Sequence, residues 1–437
     1  MTSPVLITGA RRADGSGVTA GATTRPVGDL LIVDGVFADP ADPPAGCTRI
    51  DADGLLALPG LVDLHTHLRE PGREDTETIV SGTSAAARGG YTCVFAMANT
   101  QPVTDTAEAV GFIANAARAG SSQVVPIGAV TKGLGGAELA ELGLMARSAS
   151  AVRVFSDDGS CVADARIMRR ALEYVRAFDG VIAQHAQDPR LAGPDACCHE
   201  GPVSGRLGLT GWPAVAESTI IARDGQLAEL TRSLLHVCHV STAESVEVLR
   251  WAKARGIDVT AEVTPHHLLL TVDELVGYDP PYKVNPPLRS SEDVTAVRAA
   301  LADGTIDVVA TDHAPHARQD KEHAFADAAS GMLGLEVALG VVIETMISSD
   351  LLDWPRLVAA MSTLPARIGR VAGQGGPLEP GNPANLVLVD PGRRGSVDAA
   401  ASASLSRNNP WHGRDLPDPV IMTIWHGATT YDMRAER

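Results

Sequence analysis

The chain lacks a surplus of positive charge. It carries 36 Lys and Arg against 53 Asp and Glu, a formal net charge of -17. Nucleic acid or an anionic membrane surface needs a basic patch, so neither is an expected partner. No apolar run reaches the ~18 residues that suggest a membrane helix. The N-terminus has no charged region followed by an apolar core, so no secretory signal is expected either. The 6 cysteines, at 47, 93, 161, 197, 198 and 238, form no CxxC pair and no framework spacing. A chain of 437 residues needs no disulfide staples, and reduced thiols in a cytoplasm fit this usage best. The adjacent Cys197 and Cys198 read as loop residues without a role. Aromatics are few, at 4%, while hydrophobic residues make up 45% and charged residues 20%. This is a soluble globular composition, long enough for one large α/β unit plus something smaller.

What is present is a repeating pattern. Between about residue 55 and residue 350 a short β-branched run alternates with a loop and an Ala-rich amphipathic segment. The strand-like runs are 55–65, 91–97, 123–130, 151–157, 180–186, 234–240, 256–264 and 306–312. Helical segments such as "DARIMRRALEYVRAF" and "SEDVTAVRAALADG" fall between them, with Gly often closing the helix. Eight strand–helix units with continuous apolar strands predict a (β/α)8 TIM barrel over 57–373. A doubly wound open sheet would need a Gly-rich nucleotide loop after the first strand, and none is there. Residues 1–56 and 374–437 carry short strand-like runs broken by Gly, Pro and Asp, such as "DLLIVDGVFAD" and "VIMTIWHGATTYD". They read as hairpins, and flanking the barrel they predict one small β-sandwich built from both termini. "DPADPPAGC" and the low-complexity "SVDAAASASLS" are expected as exposed loops.

The first barrel strand ends in "LVDLHTHLREPG". In an extended chain His65 and His67 share a face, with Asp63, and form a chelating pair. Barrel sites lie at the C-terminal strand ends, and those ends carry more of the same chemistry. Strand 4 ends in Asp157-Asp158, strand 5 in His185, strand 6 in His239 and strand 8 in Asp312, while His266-His267 follows strand 7. Nitrogen and carboxylate ligands without thiolates suit zinc or a similar divalent ion. The number of groups exceeds one tetrahedral site. Two ions fit them: His65, His67 and Asp312 on one, His185 and His239 on the other, with one aspartate of the strand-4 pair bridging. Two such ions lower the pKa of the water between them, give hydroxide near neutral pH and polarise a carbonyl. The chemistry implied is hydrolysis, or its reversal, at an amide-like carbon, with Asp312 moving the proton to the departing nitrogen.

"DLHTHLREPG" and "ATDHAPHARQDK" resemble the two signature stretches of the dihydroorotases, in the cyclic amidohydrolase superfamily. "AMANTQP", "AVTKGLGGAEL", "FSDDG", "EVTPHHLLLT" and "YKVNPPLR" are similar to stretches of the bacterial long-chain class. The resemblance spans about 57 to 370. It implies reversible ring closure of N-carbamoyl-L-aspartate to L-dihydroorotate in pyrimidine synthesis, with two zinc ions per chain. Carried over residue by residue, metal ligands fall on His65, His67, Asp158, His185, His239 and Asp312, and Asp312 is also the catalytic base and acid. Substrate contacts fall on His67, Arg69, Asn99, Asn285 and His316, with backbone contacts near Ser330-Gly331. Many cyclic amidohydrolases bridge their metals with a carboxylated lysine on strand 4. Here "VRVFSDDG" has no lysine, and similar sequences favour Asp158 as the bridge, although strand alternation does not separate it from Asp157. The resemblance is compatible with a homo-oligomer and with a complex with aspartate transcarbamoylase, in the cytoplasm that the cysteine usage suggests.

Other groups have quieter expectations. His266 and His267 are expected to be structural or to orient ligands, because the coordination count is complete without them. His313, beside Asp312, is expected in a supporting role. His236 and His239, three apart, are expected on opposite faces, with Cys238 pointing away into packing. Asp63 either orients a ligand histidine or caps the strand. Lys132 and Lys321 have no assigned role. Two alternatives remain: an allantoinase or hydantoinase, and a non-catalytic homologue partnering aspartate transcarbamoylase, which should have lost ligands. An arginine–asparagine pair at 69 and 99 favours an acidic substrate.

Overall fold

The structure, a computed structural model, describes residues 3–13 and 28–435; residues 1–2, 14–27 and 436–437 of the expected terminal segments lie outside the described residues. Eight apolar runs form parallel strands: β1 (Leu61–Thr66), β2 (Tyr91–Ala96), β3 (Gln123–Pro126), β4 (Val154–Phe155), β5 (Val181–Gln184), β6 (Leu235–Val237), β7 (Val259–Val263) and β8 (Val308–Val309). β1–β3 pair in one sheet and β4–β8 in another, each in sequence order. Isolated parallel bridges join the two, Gly128 with Phe155 after β3 and Thr66 with His313 after β8. The parallel α/β architecture follows from the sequence pattern: strands covered on both faces carry no polar alternation. Val62, Leu64, Cys93, Phe95, Val154, Val181 and Val308 share one buried cluster. Leu61, Val94, Leu235 and Val263 pack in another with helix residues such as Ile79, Val246, Leu249 and Val297.

The intervening helices start where the sequence supplies caps. Thr78 and Ser81 form a capping box on α1 (Ile79–Arg88), Asp164 caps α2 (Ala165–Val175), Thr242 caps α3 (Ala243–Ala254), and Ser290 with Asp293 boxes α4 (Ser291–Asp303). These side-chain oxygens satisfy amide donors that have no intrahelical partner. Gly304, at φ 83, ends α4 in the left-handed conformation that glycine tolerates.

The expected strand 55–65 is two strands. Leu56–Pro59 joins a terminal sheet and β1 begins at Leu61. Gly60 separates them at a close crossing, where an added Cβ would lie 2.2 Å from Thr92 Oγ1. The terminal segments form two further sheets. One runs Val36–Ala38, Leu30–Val33, Val5–Thr8, Thr48–Asp51; the other runs Arg11–Arg12, Leu56–Pro59, Leu386–Val389, Val420–Trp425, Ala428–Asp432. Ile7, Ile32 and Phe37 of the first sheet share a core with Ala57, Leu386, Leu388 and Ile424 of the second. The alternate residues Leu56, Leu58, Val387 and Val389 pack instead with the helix-side residues of the parallel strands. One sheet buried on both faces therefore fixes the terminal segments to the rest of the chain.

The low-complexity stretch 396–406 is exposed at Ser396, Asp398, Ala400, Ala401 and Leu405, as its composition predicts, but its end is anchored. Ser404 and Ser406 are buried. Ser404 Oγ donates to Glu77, and Ser406 Oγ donates to Thr76 O at 2.7 Å. Short polar side chains allow this packing, because each hydroxyl finds an acceptor.

Candidate metal centre

The ends of the parallel strands bring the expected ligands together. Asp158 stands at the centre of four imidazoles. Its Oδ1 lies 3.3 Å from His65 Nε2, 3.4 Å from His185 Nδ1 and 3.5 Å from His239 Nε2, and its Oδ2 lies 3.4 Å from His67 Nε2. Asp312 Oδ1 lies 3.0 Å from His67 Nε2 and 3.5 Å from His65 Nε2. None of these six residues is more than 5% exposed. His239 and Asp312 have φ of 33° and 46°, a conformation uncommon for residues other than glycine. At these positions the chain has left the β6 and β8 ladders.

Asp157 takes no part in the cluster. It accepts the backbone N–H groups of Val130 (2.8 Å) and Thr131 (3.0 Å), and Thr131 Oγ1 donates to its other oxygen. The two adjacent aspartates, inseparable by alternation, thus have different surroundings.

The residues fit a divalent ion. His65 Nε2 and Asp158 Oδ1 are buried and have no hydrogen-bond partner among the described residues, although they face each other. Two overlapping groups, His65–Asp158–His239 and His65–His67–Asp312, have ligand atoms within 4.8 Å of one another. In a third, His65 with Cys238 and Glu262, Nδ1 of His65 is already held by Glu262 at 2.6 Å. Nitrogen and carboxylate donors around buried carboxylates can hold a metal. Burial opposes the charge on Asp158, but His65, His185 and His239 outweigh it and hold its carboxyl well below the usual range. Burial likewise opposes protonation of His65, and Asp158, Glu262 and Asp312 override it and raise its pKa. His67 moves the other way, lowered by burial and by the charge of Arg69.

Glu262 on β7 is the residue that strand-end reading missed. Oε1 meets His65 Nδ1 at 2.6 Å and accepts the His239 N–H at 3.2 Å, while Oε2 meets His236 Nε2 at 2.9 Å. It lies within the strand rather than at its end, and the signal for it was a lone carboxylate in the otherwise apolar "VTAEV". His236 meets Glu262 with its ring. His239 meets it only through its backbone N–H, but the His239 ring lies 5.3 Å from that of His65, which Glu262 also holds, so the two histidines are not on opposite faces. Strand alternation does not extend to His239, because β6 stops at Val237 and His239 has positive φ. Cys238 does not point away either. It packs with Val62, Leu64 and Phe95 from the other strands, and burial pushes its thiol above the usual range. Gln187 was also missed. Its Oε1 meets His185 Nε2 at 2.9 Å and accepts Asn285 Nδ2 at 3.3 Å.

The remaining expected residues line the pocket above the cluster: Arg69, Asn99, Asn285, His316, Ser330 and Gly331, together with His67, Asp158, His185 and Asp312. Asn99 Oδ1 meets His67 Nδ1 at 2.9 Å. Arg69 has φ 58 and donates from Nε to Pro315 O at 3.0 Å; burial lowers its pKa to about 10. His316 Nε2 lies 2.8 Å from Ser330 O, and burial with the Arg69 charge lowers its pKa to about 2, so the ring is neutral. Asn285 Oδ1 is buried without a partner among the described residues.

The supporting groups resolve as follows. Asp63 Oδ1 accepts the N–H groups of His65 and Thr311, both at 3.0 Å, tying the end of β1 to the chain after β8. His267 Nδ1 meets its N-cap Thr264 at 2.8 Å. His266 is buried with Nε2 unpartnered among the described residues, and burial lowers its pKa to about 4. His313 Nδ1 accepts from Gly334 N at 3.2 Å, and its Nε2 lies 3.5 Å from Glu77. Lys132 is an exposed partner of Glu138 (2.9 Å), whereas Lys321 is buried and donates to the carbonyls of Pro280, Lys283 and Ala329.

Residues 54–245 match the family model described as dihydro-orotase-like. The chain is 62% identical to the dihydroorotase of Streptomyces coelicolor over 88% of this chain and 90% of that one. It is 57% identical to the dihydroorotase of Leifsonia xyli subsp. xyli over 97% and 95%, and 52% identical to that of Mycobacterium tuberculosis over 92% and 94%. Among solved structures it is similar to the L-hydantoinase (dihydropyrimidinase) of Arthrobacter aurescens, with TM-score 0.85, 26% identity and coverage of 99% and 96%. The dihydropyrimidinase of Brevibacillus agri, with TM-score 0.84 and 21% identity over 98% and 95%, shares the fold. Relatives this similar, aligned over nearly their whole length, show that the chain belongs to the dihydroorotase family.

Proposed function

We propose that this chain is a zinc-dependent dihydroorotase, cyclising N-carbamoyl-L-aspartate reversibly to L-dihydroorotate and water in pyrimidine synthesis. The observation that carries the reading is Asp158, central to four imidazoles, beneath a pocket lined by Arg69 and Asn99. His65, His67 and Asp312 would hold one ion, His185 and His239 a second, and Asp158 would bridge them. Bound zinc lowers the pKa of water to near neutral and polarises a carbonyl.

The protein's own residues divide the remaining work. Asp312 takes a proton from the attacking water and returns it to the departing nitrogen during hydrolysis; in ring closure the order reverses. His67 is held by Asn99 on one ring nitrogen and faces Asp312 with the other. Arg69 grips the substrate carboxylate as a charge-assisted fork, with Asn99 and the neutral His316 beside it. Asn285 and the backbone of Ser330-Gly331 hold the ring amide. Anchoring a carboxylate far from the scissile bond fixes the reacting carbon against the metal side.

The linked parallel strands support closure as a (β/α)8 TIM barrel, beginning at Leu61 rather than at the expected 57 and running to about 373. The shared core of the two terminal sheets supports a β-sandwich built from both termini, its N-terminal part running past the expected 56 to Pro59. We place the enzyme in the cytoplasm as a homo-oligomer, compatible with a complex with aspartate transcarbamoylase. The testing experiment assays zinc-loaded protein on dihydroorotate, allantoin and a hydantoin side by side. Turnover confined to dihydroorotate supports the reading. Preference for either uncharged ring overturns it in favour of an allantoinase or hydantoinase, and no turnover at all points to a non-catalytic homologue.

A further inference from the structure

Asn408 lies in the C-terminal segment, 94 residues from Ala314 and 77 from Gly331, yet its carboxamide serves the substrate side of the pocket. Nδ2 donates to Ala314 O at 2.8 Å and to Gly331 O at 3.0 Å, and Oδ1 accepts the His316 N–H at 3.0 Å. Its own carbonyl accepts the Leu333 N–H at 3.1 Å. The residue is 4% exposed. One side chain thus stitches together, from behind, the two loops that present His316 and Ser330-Gly331 to the pocket. On the pocket side the same loops are joined by His316 Nε2 and Ser330 O, and Arg69 Nε is bonded to Pro315, between the two residues Asn408 holds.

We propose that Asn408 is a positioning residue for substrate-carboxylate recognition, acting through His316, Gly331 and the Pro315 anchor of Arg69. The inference rests on the dihydroorotase reading above. The chemistry is specific to a carboxamide: two donors meet two carbonyls and one acceptor meets an amide. An ionised aspartate would face those carbonyls with lone pairs, and alanine would leave three backbone groups without their partner. The loops have little slack in which to absorb such a loss. A Cβ on Gly331 would lie 2.8 Å from both Ala314 Cβ and His316 Nε2. A small shift of either loop therefore reaches the groups that hold substrate, where about 1 Å of misplacement can cost on the order of 100-fold.

The test is steady-state kinetics on dihydroorotate with zinc-loaded full-length protein, alongside metal content. Asn408→Ala should raise KM roughly 10- to 100-fold with kcat within about fivefold and metal content unchanged. Asn408→Ser, which keeps one hydrogen-bonding group, should give a smaller rise in KM and carries the test if the alanine variant does not fold. Ser406→Ala is the control, because Ser406 Oγ anchors the same segment on Thr76 O at 2.7 Å; it should lower Tm while leaving KM within about twofold. Unchanged KM in a folded Asn408 variant, or equal rises in the Asn408 and Ser406 variants, overturns the inference while leaving the dihydroorotase reading intact. A zinc-loaded wild type that does not turn over dihydroorotate defeats the functional reading, and the inference falls with it.

Discussion

Glu262 and His65 share a 2.6 Å hydrogen bond on the side of the imidazole away from Asp158. Accepting from Nδ1, the carboxylate orients the ring so that Nε2 faces Asp158 and Asp312, where it would hold an ion. Burial opposes the charge on Glu262, and His65 and His236 more than compensate, holding it far below the usual carboxylate range. Glu262→Gln keeps the shape but loses the charge. It should weaken metal binding about 10- to 100-fold, measured by chelator competition, with the fold intact. Unchanged affinity would remove Glu262 from the account of the site.

The adjacent aspartates should separate cleanly. Asp158→Ala removes the group that faces all four imidazoles and should lose at least one metal and nearly all turnover. Asp157→Ala leaves two backbone amides and a threonine hydroxyl without their acceptor, which should cost roughly 1–3 kcal/mol of stability with metal content retained. Metal analysis and thermal melting of both variants check this. A metal loss confined to Asp157→Ala would reverse the assignment.

Substrate choice should follow Arg69. A lysine cannot reproduce the planar fork, so Arg69→Lys should keep its metals and lose roughly 10- to 1000-fold in kcat/KM for dihydroorotate. An uncharged cyclic amide, where turned over at all, should lose much less. The ratio of the two losses is the informative quantity. Equal losses would mean that Arg69 supports the fold or the metals.

The histidine–aspartate cluster was legible because its residues close apolar strands, where a histidine or aspartate has no packing reason to be. The eight strands were legible for the same reason, although Gly60 hid a boundary inside one continuous apolar run. What alternation could not reach was any residue beyond the ladder. His239 and Asp312 turn at positive φ, and Asp157 is set apart from Asp158 by donors from Val130 and Thr131 on one and four imidazoles around the other. Glu262, Gln187 and Asn408 were hidden differently. Glu262 and Asn408 find their partners on other strands or far along the chain, and Gln187 meets His185 two residues away; a lone carboxylate marks Glu262 in its strand, but the local sequence does not name what any of the three will bond.

Acid sensitivity should depend on Glu77. It accepts from Ser81 Oγ, Ser404 Oγ and the Leu405 N–H (3.1 Å), and faces His313 Nε2. Burial alone would raise its pKa; His313 and the serine hydroxyls outweigh burial and lower it. A carboxyl whose folded pKa lies below its unfolded value contributes stability that is full above the unfolded value, ~4.3. That contribution is lost as pH falls towards the folded value. Glu77→Gln should therefore melt below wild type at neutral pH, by about 1–3 kcal/mol, and the gap should narrow below about pH 4. A gap independent of pH would contradict the ionised, hydrogen-bonded Glu77.

In the proposed centre two ions share Asp158. Anomalous diffraction at the zinc edge from crystals of active, chelator-free protein should then give two peaks, one beside His65 and His67 and one beside His185 and His239, with an Asp158 oxygen on each. A single peak in fully active protein, or two peaks with Asp158 on neither, would contradict it.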